Sequence, residues 1–164
     1  MSQRIETAWS PAGAWLWLFP LAYGLHIAEE HWLRFPAWLA GLDRPFVSSS
    51  QFLFLNAVCW LLMVAAVLLI RARSSRAWLV VTLAAILGIN AGLHLLGSIV
   101  TGTYSPGSVT GALLYIPLVV YALRQVLPRV DRGLAVRAGI LGLAIHGGVM
   151  LLAANLSVLL APGA

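Results

Sequence analysis

Residues 24–32, "GLHIAEEHW", place two adjacent carboxylates, Glu29 and Glu30, between two imidazoles, His26 and His31, at the end of a long apolar run. On a helix, His26 lies three positions from Glu29 and four from Glu30, so these three side chains share one broad face. A second pair, Asn90 and His94 in "NAGLH", is four apart within another apolar run and shares a face in the same way. His26, Glu29, Glu30 and His94 form a ligand set suited to Zn²⁺ or iron, because imidazole and carboxylate bind both metals. Glu and His side chains projecting inward from helices recur in metal centres at the core of bundles. A carboxylate left free by the metal could serve as general base or hold a second metal. Without a metal, the Glu pair and a histidine could still move protons as an acid–base cluster. Two neighbouring carboxylates repel unless a cation or a shared proton relieves them.

The elements that carry these residues are membrane helices. The chain of 164 residues is 61% hydrophobic and only 9% charged, with a mean hydropathy of +0.92, whereas a soluble domain is about a quarter charged. The fold class is therefore all-α, a polytopic membrane bundle of about five transmembrane helices. The runs extend over about Ala12–Trp32, Gln51–Ile70, Ala77–Val100, Ser108–Leu127 and Leu134–Leu160, each near the ~20 residues that a span needs. Ser10-Pro11 reads as a helix start, Pro20 as a kink, and Ser48, Ser49 and Ser50 as caps for the second span. Residues 33–50, "LRFPAWLAGLDRPFVSSS", are too interrupted to span. With Trp38 and Phe46 beside Arg34 and Arg44, they read as an interfacial segment. The first run is too long for a cleaved signal core and is expected to stay. No repeat or linker divides residues 1–164, which read as one integral membrane domain. Cys59 stands alone, so neither an internal disulfide nor a cysteine-based zinc site is available.

All ten basic residues are arginine, and they sit in short loops, a topogenic pattern and not a nucleic-acid surface. Arg71, Arg73 and Arg76 fill the second connection, and Arg124, Arg129, Arg132 and Arg137 surround the fourth. The third, "TGTYSPGS", is uncharged. The positive-inside rule then expects a cytoplasmic N-terminus and an exoplasmic C-terminus. In that orientation Glu29 and His94 both lie about 26 Å up a core of about 30 Å. His26 and Asn90 are one turn deeper, Asn56 and Tyr115 fall close to the same level, and His146 lies nearer the midplane. Asn56, Asn90, Tyr115 and His146 are accordingly candidates to orient a substrate. A single glutamate near an interface can also snorkel to water, and a single histidine can be ordinary packing. His31 and Trp32 fit an interfacial belt. Gly88 to Gly92, "GINAG", has the spacing of a close helix contact, and Gly147 and Gly148 read alike.

"HIAEE" (His26 to Glu30), "NAGLH" (Asn90 to His94) and "YSPG" (Tyr104 to Gly107) occur in that order, and together they resemble the HXXEE-domain integral membrane proteins over about the first 125 residues. The resemblance marks His26, Glu29, Glu30, Asn90, His94, Tyr104, Ser105, Pro106 and Gly107. It implies a small bacterial-type membrane protein with a polar site, in the inner membrane, and no particular reaction. The pattern departs from the H-x-x-E-H of soluble metalloproteases, since Glu30 occupies the place of the second histidine. Pro-Gly in "YSPG" favours a type II turn. Such a turn would hold Tyr104 over the outer mouth, either capping the site or donating to a substrate as a catalytic group beside Glu29 and Glu30.

Three functions are compatible with these residues. The first is a membrane-embedded, Zn- or Fe-dependent enzyme acting on a lipid, isoprenoid or other apolar small molecule in the outer half of the bilayer. The second is a metal-independent acid–base isomerase or cyclase of a lipid-like substrate. The third is a non-catalytic accessory subunit, for which GxxxG-like spacing leaves a homo-oligomer or a membrane partner open. No organic cofactor and no nucleic-acid partner is expected.

Overall fold

The computed structural model of the chain describes residues 13–43 and 47–159, with side chains as far as 155. The Ser10-Pro11 start, Arg44, Phe46 and the expected end at Leu160 lie outside the described residues. A 3-10 turn, Ala14–Trp17, leads into α1, Leu18–Trp32. The short α2, Phe35–Ala40, precedes α3, Ser49–Ala72, and a second 3-10 turn, Ser74–Arg76, leads into α4, Trp78–Thr101. Helix α5 runs over Ser108–Arg129 and α6 over Arg132–Leu159. No strand occurs among the described residues.

The helices α3, α4, α5 and α6 are each long and apolar enough to cross a membrane, and the chain is an all-α, multi-pass membrane bundle. Leucines such as Leu21, Leu61, Leu62 and Leu151 are exposed on its outside, as expected where lipid tails replace water as the solvent. Local sequence accounts for several helix ends. Ser48 accepts from Gln51 N while Gln51 Oε1 accepts from Ser48 N, a reciprocal capping box that opens α3. Asp131 Oδ1 accepts from Leu134 N and starts α6. Pro20 is the third residue of α1, where its missing N–H has no intrahelical acceptor to lose, and the chain changes from 3-10 to α just before it.

Helix α4 is the central element and packs most extensively on α6 and α5. At the α4–α6 crossing, a Cβ on Gly142 would meet Thr82 O at 2.6 Å and Ala85 Cβ at 2.7 Å, so only glycine permits that approach. Thr82 Oγ1 adds an interhelical hydrogen bond to Ala138 O at 3.1 Å. The close contact expected at Gly88 and Gly92 is not where the helices approach. Gly88 faces Val119 at ordinary van der Waals distance, and a Cβ on Gly92, Gly147 or Gly148 would meet nothing within 4 Å. Helix α5 instead comes close through Gly111, whose added Cβ would lie 3.3 Å from Ala91 Cα.

Two features bring distant segments to the outer end of α1 and α4. Residues Gly111–Tyr115 form a π-helical turn inside α5, immediately before Ile116-Pro117. The α2 segment folds inward and does not merely lie at an interface. Its Phe35 is buried, with ring centroids 6.3 Å from Phe52 of α3 and 5.0 Å from His94 of α4. Trp38 Nε1 donates to Thr103 Oγ1 at 3.1 Å, tying α2 to the loop between α4 and α5.

Candidate metal centre

His26, Glu30 and His94 meet between α1 and α4, and all three are buried. Glu30 Oε1 lies 3.1 Å from His94 Nε2, and Glu30 Oε2 lies 3.6 Å from His26 Nε2. One ligand atom from each residue falls within 4.8 Å of the others. The far side of each ring is held by a hydroxyl: His26 Nδ1 by Thr110 Oγ1 at 2.7 Å and His94 Nδ1 by Ser105 Oγ at 3.2 Å. Thr110 Oγ1 itself donates to Gly107 O at 3.4 Å. In the tautomer that matches this bond, Thr110 Oγ1 accepts from His26 Nδ1–H and the Nε2 lone pair faces the carboxylate. His26 Nε2 has no hydrogen-bond partner. A buried lone pair aimed at a buried carboxylate is an arrangement that a cation or a proton between them stabilises. Orienting hydroxyls behind the imidazoles are the support that metal-binding histidines require.

Glu29, one residue earlier, has a different environment. Its Oε1 accepts from Gly107 N at 2.9 Å and Val109 N at 3.2 Å, and its Oε2 from Thr110 N at 2.7 Å. Tyr104 OH also donates to Oε1. Glu29 thus caps the free N–H groups at the start of α5, where a negative charge is favoured. Burial and the bond to Glu29 push the Tyr104 hydroxyl up to about 12.

The turn between them closes the site. Ser108 N donates to Ser105 O at 3.1 Å, and Gly107 has φ 104 and ψ −13, the geometry of a type II turn. A Cβ on Gly107 would lie 2.7 Å from His94 Cε1 and 2.8 Å from His26 Cε1. Glycine is needed there both for its backbone angle and because the turn rests directly on the two imidazole rings.

The remaining candidates line a neighbouring cavity of about 970 Å³ between α3, α4 and α6, closed at one end by α2. Glu30, Asn56, Asn90, His94, Tyr115 and His146 all contribute to its wall. Asn56 accepts from Tyr23 OH at 2.7 Å. Tyr115 is fully buried, with its ring centroid 4.5 Å from that of His26. Asn90 Oδ1, Tyr115 OH and His146 Nε2 are buried atoms without a hydrogen-bond partner. His31 and Trp32 are exposed on the outer surface of α1, away from the cluster.

The structure therefore joins His26, Glu30 and His94, and gathers Asn90, Tyr115 and His146 beside them. It binds Glu29 of α1 to Tyr104 and to the turn, outside the three-residue cluster. Three contributors were not singled out from sequence. Thr110 had a usable signal, since it follows Gly107 by three residues in the first turn of its span. Tyr23 precedes His26 by three and shares its face. Phe35 carried no signal beyond its neighbourhood to Trp38.

No curated protein and no solved structure matches the chain. A family model described as "Protein of unknown function with HXXEE motif" matches residues 17–122, a stretch that holds both imidazoles of the cluster, both glutamates and the turn above them. On that match the chain belongs to the HXXEE family.

Proposed function

We propose that the protein is a membrane-embedded enzyme that holds one Zn²⁺ or iron ion on His26, Glu30 and His94 and acts on a lipid-like or other apolar substrate. The observation that carries this reading is the set of three buried ligand atoms within 4.8 Å, with both imidazoles fixed from behind by hydroxyls. Two histidines and one glutamate leave a coordination position open, the arrangement of catalytic and not of structural zinc sites. A metal held there supplies Lewis-acid polarisation of a substrate oxygen. The chain's own groups do the rest: Asn90, Tyr115 and His146 stand in the wall of the cavity beside the three ligands, and the Gly107 turn covers both imidazoles from the outer side. The arginine-rich connections at Arg71–Arg76 and Arg124–Arg137 favour a cytoplasmic N-terminus, which puts the site in the outer half of the bilayer.

One distance favours a second reading. His94 Nε2 and Glu30 Oε1 are 3.1 Å apart, close enough to share a proton directly. In that case the pair would act as an acid–base couple on a lipid-like substrate without a metal.

Elemental mass spectrometry on the detergent-purified protein, prepared without chelators, decides between them. One equivalent of zinc or iron per chain in the wild type, lost in Glu30→Gln and His94→Ala, supports the metal reading. A metal-free wild type overturns it in favour of the acid–base couple.

A further inference from the structure

We infer that α2 is a hinged flap, and that its outward swing opens one end of the cavity and uncovers His94. The inference concerns access to the site and stands whether the cluster holds an ion or shares a proton. Phe35, Trp38 and Leu39 lie at i, i+3 and i+4, one face of α2, and with Leu42 just beyond it they line the cavity. Phe35 covers the His94 ring at 5.0 Å between centroids, while Ala37 and Ala40 on the other face are exposed. The segment is therefore built as a cover, apolar beneath, open above, and closed over a ring that belongs to the cluster.

The site has two covers, and they are fastened differently. The Gly107 turn and the start of α5 are held to α1 by Glu29, through three backbone N–H groups and the Tyr104 hydroxyl. Helix α2 is tied to the loop between α4 and α5 by an exposed bond, from Trp38 Nε1 to Thr103 Oγ1 at 3.1 Å. Its other hold is apolar contact. The Trp38 ring rests on Gly97, whose added Cβ would lie 3.2 Å from Trp38 Cη2. The backbone bonds of α2 and its flanks are local: Trp38 N to Arg34 O, Gly41 N to Ala37 O, Leu42 N to Leu39 O and Asp43 N to Ala40 O. A swing of the segment as a unit breaks none of them. Among the described residues, the two non-glycine residues with positive φ are Arg34, at 57°, and Asp43, at 53°, and they stand on either side of α2. Arg34 directly follows the C-cap of α1, a place that glycine usually takes. For a residue with a Cβ the left-handed well is the less favourable one, so a return to ordinary φ is locally downhill and re-aims α2. Hinges are residues of this kind, at the ends of elements, that absorb a large backbone rotation.

Cys59 stands in the cavity wall and is the chain's one cysteine, so it reports opening without an added label. The full chain in nanodiscs is treated with a small quaternary-ammonium methanethiosulfonate, which does not dissolve in lipid, and modification of Cys59 is followed by intact-mass spectrometry. When opening limits access, the rate follows the open population. Thr103→Val and Trp38→Phe remove the same hydrogen bond from opposite sides, so each should raise the rate about fivefold, the equivalent of about 1 kcal/mol. The double variant should match either single one, because the bond can be lost only once. Tyr104→Phe, which loosens the other cover, should leave the rate unchanged. Thermal midpoints report whether each variant is folded. The inference is overturned if folded Thr103→Val and Trp38→Phe react at the wild-type rate, or if Cys59 stays unmodified in all of them. It is equally overturned if the double variant multiplies the two effects, or if Tyr104→Phe accelerates the reaction as much as they do. None of these readouts involves metal content, so failure of the metal reading and failure of this one are separate results.

Discussion

Glu29 and Glu30 are neighbours in the chain, yet their carboxylates end in opposite surroundings. Glu29 receives three backbone N–H groups and a tyrosine hydroxyl from the turn and the start of α5. Glu30 points the other way, into a buried space between two imidazoles. One residue of helix is about 100° of rotation, and that rotation separates a carboxylate whose charge is already matched from one whose charge is not. The contrast assigns Glu29 to building the lid and, in the proposed reading, Glu30 to holding the ion. Adjacent acidic residues on one apolar helix are thus not one functional unit by default.

The comparison breaks most visibly through Glu30. Glu30→Gln should lower metal content from one equivalent to less than a tenth while the protein stays folded. If Glu29→Gln empties the centre as completely as Glu30→Gln, the division of roles fails. Next in size is the support behind the rings: Thr110→Val and Ser105→Ala should each weaken metal retention against a competing chelator by about 10- to 100-fold. Glu29→Gln should keep its metal but lose about 2 kcal/mol of charge-assisted hydrogen bonding. A differential scanning measurement in detergent would then show a thermal midpoint lower by about 4–8 °C. Gly107→Ala should fall between these two classes, destabilising through its backbone angle and also loosening the metal, because its Cβ would push on both imidazoles.

The smallest effect is a matter of pH. Tyr104 holds its proton more tightly in the folded protein, at about 12 against an ordinary value of 10, through burial and its bond to Glu29. The folded state therefore binds more protons between those values. The associated stability is complete below pH 10 and is lost as the pH rises through about 12. Thermal midpoints measured from pH 9 to 12 should fall more steeply for the wild type than for Tyr104→Phe. Equal slopes would remove Tyr104 from the lid.

The membrane bundle was legible because span-length apolar runs and a scarcity of charge leave few alternatives. His26, Glu30 and His94 were legible as a group because helical spacing and equal depth are arithmetic on the sequence. The sequence could not separate Glu29 from Glu30. Both lie within four residues of His26, and a one-residue uncertainty in depth covers the difference. Thr110, Phe35 and Tyr23 escaped notice because their partners are set by how segments fold over one another. Phe35 reaches His94 only because α2 turns inward, which no local pattern encodes. The glycine contacts misled for a related reason: GxxxG spacing reports an opportunity for approach, and which smooth patch is used depends on the neighbouring helix.

The π-helical turn at Gly111–Tyr115 has a consequence for how this protein tolerates change in length. A π turn accommodates one residue more than α-geometry would, so α5 consists of two stretches set at different rotational phases. The first stretch aims Thr110 and its N–H groups at α1; the second packs Leu118 and Ala122 into the core. Losing a single residue from this turn, such as the exposed Leu113, would restore regular α-geometry and leave both stretches facing as they do, whereas losing one from the regular helix beyond it would turn the stretches by about 100° against each other. After that second deletion the lid and the packed half of α5 could not both keep their partners. In this protein a one-residue deletion is better tolerated inside the π turn than in the regular helix that follows it.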